Sequence, residues 1–313
     1  FKAASKNHLQ RIEEDIVLGK CEQEPELDLS LYQHNQTVQN VLRDILGDSP
    51  ADLELQFQTD VQRSYHVFEF NHSQIEVCLD DGEIRTGKDQ AKICEVEFEL
   101  KQGSAQDLIE FAQTWVDKYQ LWLDVRSKAE RGNLLAMEKK SSPAAKAKSL
   151  KLDPNLSAEQ ALKLVLENGL NHILPNAAAI AGGVAEADHI HQARVGLRRL
   201  RSALKHFSNW SEHINPAWES ELADIFRALG QSRDHDAIQD SVIPLIKEVC
   251  DFDFALSSST DPEIATRLSS SQTTQLFLSL LSFIYSENES KNKLSRQVSK
   301  SLTKLYHKIL KDA

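Results

Sequence analysis

The chain has 313 residues, of which 41% are hydrophobic and 27% are charged, so it is long enough for two globular domains. This composition excludes a wholly disordered or collagen-like chain. The 36 basic and 47 acidic residues give a formal net charge of -11, which excludes a uniformly basic nucleic-acid-coating protein but leaves room for a local basic site.

The cysteines and the apolar segments exclude further classes of protein. The four cysteines are scattered without a CxxC pair, so neither a disulfide framework nor a zinc knuckle is expected. No apolar run is as long as a membrane span, and no signal peptide is recognisable at the start. We therefore expect a cytoplasmic protein that has no membrane partner.

The part of the chain before about residue 140 is predicted to form strands, because apolar and polar residues alternate there with a period of two. The alternating segments are 61–70, 74–79 and 94–100. Asp81-Gly82 is typical of a hairpin turn between two of these strands. A helix is predicted from about Ser104, which together with Asp107 has the pattern of an N-terminal cap.

A change of composition marks the second half of the chain. Residues 138–156 are small, basic and without an apolar period, which is typical of a linker. The next helix is predicted to begin at a capping box formed by Ser157 and Gln160, and Pro175 and Gly182 are predicted to break it. Further helices are predicted over roughly 187–209, 216–231, 235–250, 262–286 and 290–312.

The helix predicted over 187–209 carries basic side chains on one side. At about 100° per residue, five of them fall within an arc of about 80°. These five residues, termed the basic stripe, are His191, Arg194, Arg198, Arg201 and Lys205. The apolar side chains that occupy a separate arc, and are expected to face the core, are Leu197, Leu200, Leu204 and Phe207.

Like charges three or four residues apart repel one another along a helix, and no acidic residue between 189 and 210 relieves that repulsion. The basic stripe therefore predicts a binding site for a polyanion, which would supply the missing counter-charge. The alternative is a solubilising face, or a stripe that pairs with Glu219, Glu221 and Asp224 on the next helix.

Two separated motifs resemble those of CHAD domains. The first is the run 191–204, and the second is 229–236, which has the pattern LGxxRDxD. CHAD domains are helical, are built from two related four-helix halves around a basic cavity, and bind inorganic polyphosphate. The resemblance implies that the basic stripe and Arg233 line such a cavity, that Asp234 holds an arginine or caps a helix, and that only the first half of the domain is present.

Residues 1–137 resemble the later part of a CYTH domain, the triphosphate tunnel metalloenzyme fold that often precedes a CHAD domain. In that family, a closed antiparallel tunnel presents basic residues to triphosphate and acidic residues to Mg or Mn, which prefer carboxylate oxygens. The resemblance implies that triphosphate is bound by Lys2, Arg11, Arg63 and Lys128. The other implied roles are catalysis by Glu13 and Lys128, metal binding by Glu95 and Glu97, and tuning of a basic neighbour by Asp80.

Residues 97–101 fit the ExExK pattern of the family's first strand. We nevertheless assign them to its last strand, because they follow the hairpin expected at Asp81-Gly82 and lead to 127–132, as that strand does. The first strand and the following RxR strand are then expected upstream of Phe1, which leaves an open, incomplete barrel. The alternative for the glutamates is a solvent-facing side of the strand, and the alternative for Lys128 and Arg131 is a complement to a helix dipole.

The sequence thus predicts an α+β protein in which a partial antiparallel CYTH tunnel barrel precedes an all-α CHAD helical bundle. The predicted boundaries are 1–137 for the first domain, 138–156 for the linker and 157–313 for the first half of the second domain. The resemblance implies that the parent protein hydrolyses triphosphate with Mg or Mn, and that the helical domain binds polyphosphate. A non-catalytic polyphosphate-binding or granule-targeting module is the alternative. Inorganic polyphosphate or triphosphate is the expected partner, whereas the overall acidity argues against nucleic acid.

Overall fold

The computed structural model describes residues 2–5, 8–11, 34–37, 39–40, 55–237, 262–288 and 292–312. The chain divides into two compact units, Phe1–Leu55 and Gln56–Ala313. In the first unit, the strands β1 (Lys2–Ser5) and β2 (His8–Arg11) pair in antiparallel fashion, with Lys2 directly opposite Arg11.

The second unit begins with a three-stranded antiparallel sheet in the order β3-β4-β5. Its strands are β3 (Gln58–Phe70), β4 (Ser73–Arg85) and β5 (Gln90–Gln102). Alternate residues of the central strand point to opposite faces, so Ile75 and Val77 are buried on one face while Asp80 lies on the other. The strand alternation predicted from the sequence is confirmed.

The hairpin turn predicted at Asp81-Gly82 is wrong. Strand β4 runs through both residues and ends at Arg85, and the turn between β4 and β5 lies at residues 86–89, where the backbone N–H of Thr86 donates to the carbonyl of Asp89 at 2.8 Å. At Gly82, an added Cβ would clash with the backbone oxygen of Asp60 on β3. The glycine is therefore needed because two strands approach closely there, not because the chain turns.

Two helices follow the sheet. They are α1 (Ala105–Tyr119) and α2 (Lys128–Ala136). As predicted, the hydroxyl of Ser104 caps α1 by accepting a hydrogen bond from the backbone N–H of Asp107 at 3.1 Å. Phe111 of α1 packs on the apolar face of the sheet, whereas α2 begins beside the opposite face, where Lys128 contacts Asp80.

The other regular elements described in the second unit are helices, and with the sheet they make the α+β fold that the sequence predicts. The helices are α3 (Ala158–Ala181), α4 (Ala187–Phe207), α5 (Ala217–Ala237), α6 (Pro262–Leu268), α7 (Ser271–Tyr285) and α8 (Leu294–Asp312), with a short 3-10 turn at Ser208–Trp210. Among the described helices, none has both the length and the apolar character needed to cross a membrane.

The helix boundaries depart from the predicted ones at two points. Helix α3 passes through Pro175 and ends at Gly182, so the predicted break at Pro175 is wrong; burial of the helix on both sides of the proline outweighs the loss of one hydrogen bond. The helix predicted over 262–286 is two helices, because the hydroxyl of Ser270 caps a new one. The helix predicted over 235–250 lies largely outside the described residues.

The helical core lies where the apolar arc of α4 meets α3. Of the apolar arc predicted on α4, Leu197, Leu200 and Leu204 are buried in this core and Phe207 packs at its edge, as predicted. The two helices cross closely at Gly169 of α3, where an added Cβ would lie 2.9 Å from Cδ1 of Leu200. The capping box of Ser157 and Gln160 at the start of α3 is also confirmed.

The segment 138–156, predicted as a linker, makes specific contacts with the helices. The side chain of Asn176 on α3 hydrogen-bonds both the backbone N–H and the carbonyl of Ala145, each at 3.0 Å. The imidazole of His189 on α4 donates to the carbonyl of Ser142 at 2.9 Å. These contacts hold the segment against the bundle, and the boundaries at 137 and 157 stay predictions.

Helix α1 packs against α7 as well as against the sheet. Ile109 and Val116 of α1 share an apolar cluster with Leu278 of α7. The side-chain amide of Gln113 donates to the hydroxyl of Ser279 at 3.1 Å. Helix α1 therefore joins the sheet to the helical bundle within the second unit.

Candidate functional site

A network of six charged side chains lies on the face of the sheet opposite α1. The strand register places one arginine and two carboxylates directly opposite one another across β3, β4 and β5, and a third carboxylate lies two residues along β5 on the same face. Two cations reach the same point from the first turn of α2. The members of this ionic network are Arg63, Asp80, Glu95, Glu97, Lys128 and Arg131.

Asp80 is the buried centre of the ionic network, with 0% of its side chain exposed. Its Oδ1 accepts a hydrogen bond from Nε of Arg63 at 2.7 Å, and its Oδ2 accepts one from Nη2 of the same arginine at 2.6 Å. Nζ of Lys128 lies 2.6 Å from the same Oδ2. The hydrogen bonds from Arg63, helped by Lys128, lower the pKa of Asp80 to about 2 although burial opposes the charge.

Lys128 joins all three carboxylates. Its Nζ lies 2.6 Å from Asp80, 2.5 Å from Oε1 of Glu95 and 2.7 Å from Oε1 of Glu97. Burial acts to lower the pKa of Lys128, but its hydrogen bonds to the three carboxylates outweigh burial and leave the pKa raised. The ammonium has three N–H groups, so each carboxylate takes one of them.

The two arginines complete the charge balance. Nη2 of Arg63 also donates to Oε2 of Glu97 at 2.7 Å, and Arg131 pairs with Glu95. Three cations therefore face three carboxylates, and the network is electrically neutral as it stands. Arg131 is a site residue that the sequence prediction does not include. Its position three residues after Lys128, on the same side of α2, is the sequence signal for it.

The donor set of the network fits Mg or Mn. Asp80, Glu95 and Glu97 each offer one carboxylate oxygen, and these oxygens lie within 4.8 Å of one another. Hard divalent cations prefer such oxygen ligands. Asp80 thus adds a third oxygen donor to the two predicted metal ligands, but the ammonium of Lys128 occupies the point where the three converge.

The remaining residues of the predicted triphosphate site lie elsewhere in the chain. Lys2 and Arg11 are backbone neighbours on β1 and β2 of the first unit, and the structure describes only their backbone. Glu13 lies outside the described residues. The structure therefore brings together Arg63 and Lys128 with the predicted metal ligands.

Asp80 makes folding dependent on pH. Its pKa is about 2 in the folded chain and 3.8 ordinarily, so the folded state holds the charged form and gains stability wherever the unfolded carboxyl is ionised. We expect this contribution, about 2 kcal/mol, to be complete above about pH 4 and to disappear as the pH falls to about 2. Urea unfolding with a chelator present, compared between the wild type and Asp80→Asn, measures it. Parallel pH profiles for the two proteins would contradict the expectation.

Two members of the basic stripe contact α5. The guanidinium of Arg194 donates to the carbonyl of Phe226 at 3.1 Å and lies 4.4 Å from the centre of its ring. Arg201 donates twice to Oε1 of Glu219, at 3.1 and 2.9 Å. Pairing with the next helix, the alternative considered from the sequence, is thus present at Arg201, whereas Asp224 pairs within its own helix.

The other members of the stripe face outward. Arg198 and Lys205 are exposed, and within the described part of the chain neither forms an ion pair. His191 is half-buried. Arg233 lies on α5, and the structure describes only its backbone. Arg198 and Lys205 are therefore the stripe cations with the most charge available to an external anion.

Comparisons with known proteins find three similarities. Residues 164–313 match the family described as the CHAD domain. Over 122 residues, which are 38% of this chain and 35% of the relative, the sequence is 35% identical to an inorganic triphosphatase of Haemophilus influenzae. The chain thus spans about a third of the length of that curated relative. The crystal structure of the CHAD domain from the plant Ricinus communis aligns with a TM-score of 0.30 and 24% identity, covering 51% of this chain and 50% of that one.

Proposed function

We propose that this chain, which has a CYTH–CHAD architecture with the CHAD domain at residues 164–313, binds inorganic triphosphate at the ionic network and longer polyphosphate along the basic stripe. The observation that carries the proposal is the neutral cluster of three cations and three carboxylates on one face of the sheet. Such a cluster holds donors for phosphate oxygens and ligands for a divalent cation at the same point.

The cations of the network would receive the phosphate. Arg63 offers a planar fork of N–H donors and Lys128 offers three, and both groups suit phosphate oxygens. In the structure, these N–H groups donate to carboxylate oxygens instead. Phosphate therefore has to displace carboxylates from Arg63 and Lys128, and each displaced carboxylate becomes a free oxygen ligand.

Charge balance couples the two ligands. A phosphate that enters alone leaves three carboxylates facing an added negative charge, and a metal that enters alone faces three cations. A metal that enters together with triphosphate cancels part of the phosphate charge, so the site gains less negative charge than it does with triphosphate alone. When bound at Asp80, Glu95 and Glu97, Mg or Mn would offset the phosphate charge and polarise the bond that is hydrolysed.

Hydrolysis of triphosphate with Mg or Mn is our proposal for the protein to which this chain belongs, in line with the name of its relative, an inorganic triphosphatase. A non-catalytic triphosphate- and polyphosphate-binding module is the second candidate. It is favoured by the pairing of every carboxylate of the network with a cation, which leaves none of them unpaired to activate water. Phosphorus NMR of tripolyphosphate with Mg or Mn distinguishes the two: hydrolysis releases diphosphate and phosphate, and Glu95→Gln abolishes the release.

Polyphosphate binding by the helical domain rests on the exposed stripe cations. Replacing Arg198 and Lys205 together by alanine is expected to weaken binding by at least about tenfold, or about 1.4 kcal/mol, because two charge-assisted contacts are lost. Affinity of the wild type should also fall steeply with salt, since each contact releases counterions. Calorimetric titration with long-chain polyphosphate at two salt concentrations measures both effects.

Arg199→Ala is the matched control for this expectation. Arg199 is exposed, like Arg198, but lies about 80° beyond the edge of the basic stripe on the helical wheel. Its loss should change polyphosphate affinity less than the loss of Arg198. Equal losses for Arg198→Ala and Arg199→Ala would contradict a binding face along the stripe.

A further inference from the structure

A second basic surface lies beside the basic stripe on α4 and shares Arg198 with it. It is a groove of about 760 Å³ between α3, α4 and the segment 148–152. Its cations are Lys148, Arg198 and Arg199. Among the described residues that line the groove there is no carboxylate, so its charge is not balanced from within.

The floor of the groove is apolar. Its side chains include Leu152, Val165, Val195 and Phe207. Leu150 stands at the rim with 38% of its surface exposed. The groove thus joins positive charge to a sizeable apolar surface, which is the composition of a site for a small organic ligand rather than for a bare inorganic anion.

Arg199 is held at the groove by a neutral partner. Its Nη2 donates to the side-chain oxygen of Asn168 on α3 at 3.3 Å. An amide orients the guanidinium without cancelling its charge, so the charge remains available to an anion. Arg194 and Arg201 turn toward α5 instead, and only Arg198 belongs to both the basic stripe and the groove.

We propose that this groove binds an organic anion of the nucleoside phosphate class. The phosphates would contact Lys148, Arg198 and Arg199, and the base would cover the apolar floor near Phe207. Inorganic phosphate chains have no apolar surface and leave that floor in water, whereas an uncharged apolar ligand leaves the three cations without a counter-charge. The volume lies within the range of about 300–1,000 Å³ that is typical of small-molecule sites.

Calorimetric titrations with ADP and with inorganic diphosphate, both with a chelator present, test the proposal. ADP is expected to bind at least about tenfold more tightly than diphosphate, because only ADP covers the apolar floor. Arg199→Ala should weaken ADP binding by about fivefold or more by removing a charge-assisted contact. Leu150→Asp, which places a carboxylate on the exposed rim, should weaken ADP binding similarly.

Controls separate this groove from the triphosphate and polyphosphate sites. Arg267→Ala removes an arginine from α6 and should leave ADP binding unchanged. Titration of the same variants with tripolyphosphate tests the proposed function. Leu150→Asp should change the affinity for tripolyphosphate little. Equal affinities for ADP and diphosphate, or ADP binding that survives both Arg199→Ala and Leu150→Asp, would overturn the proposal while leaving the proposed function intact.

Discussion

Replacing Lys128 by methionine is expected to weaken tripolyphosphate binding by about 100-fold and, in the same protein, to strengthen the binding of Mn. The ammonium donates to phosphate in the proposed complex, so its loss removes charge-assisted hydrogen bonds. In the free protein it occupies the point where Asp80, Glu95 and Glu97 converge, so its loss also frees three metal ligands. Calorimetry measures the first effect, and electron paramagnetic resonance of Mn measures the second.

Lys88→Met is the matched control for Lys128→Met. Lys88 is highly exposed at the turn between β4 and β5 and pairs with Glu138 outside the ionic network. We expect both affinities to stay within about twofold of the wild type, because an exposed pair contributes little. A fall in Mn affinity on Lys128→Met would show that the ammonium does not compete with the metal.

Replacing Leu200 by alanine is expected to lower the free energy of unfolding by about 2–5 kcal/mol. Leu200 is 1% exposed and packs where α4 crosses α3 at Gly169. The cavity cannot be filled by closer approach of the helices without backbone movement, because the crossing is already tight. Urea unfolding measures the loss.

Leu302→Ala on α8 provides the control for the core substitution. Leu302 is 61% exposed, so its truncation should cost less than about 0.5 kcal/mol. A loss below about 1 kcal/mol for Leu200→Ala would show that the face of α4 that carries Leu200 is not the core of the helical part.

In the sheet, the local sequence pattern predicts which residues share a face of one strand but not how the strands align. Period-two alternation places Glu95 and Glu97 on one face of β5, and this follows from the sequence alone. Their alignment with Arg63 and Asp80 does not, because cross-strand register depends on where the turns lie. Asp81-Gly82 has the composition of a turn, but the close approach of β3 is what requires the glycine.

In the helices, likewise, the sequence predicts which side is buried, whereas side-chain contacts depend on how the helices pack. The phase of α4 predicts that Leu197 and Leu200 are buried, as observed, because an amphipathic helix has one way to bury its apolar arc. The sequence alone does not predict the directions in which the arginine side chains of α4 point. Arg194 and Arg201 turn inward because α5 presents the carbonyl and ring of Phe226 and the carboxylate of Glu219, which are partners that only packing brings near.

The central claim is that phosphate and the carboxylates of the ionic network compete for the same cations. It is tested most directly by titrating tripolyphosphate into Glu97→Gln with a chelator present, in a background that carries Arg198→Ala and Lys205→Ala to silence the basic stripe. Glu97→Gln releases Arg63 and Lys128 from one partner while keeping a side chain of the same shape. We predict that tripolyphosphate binds about tenfold more tightly than in the background alone. Unchanged or weaker binding would contradict the account.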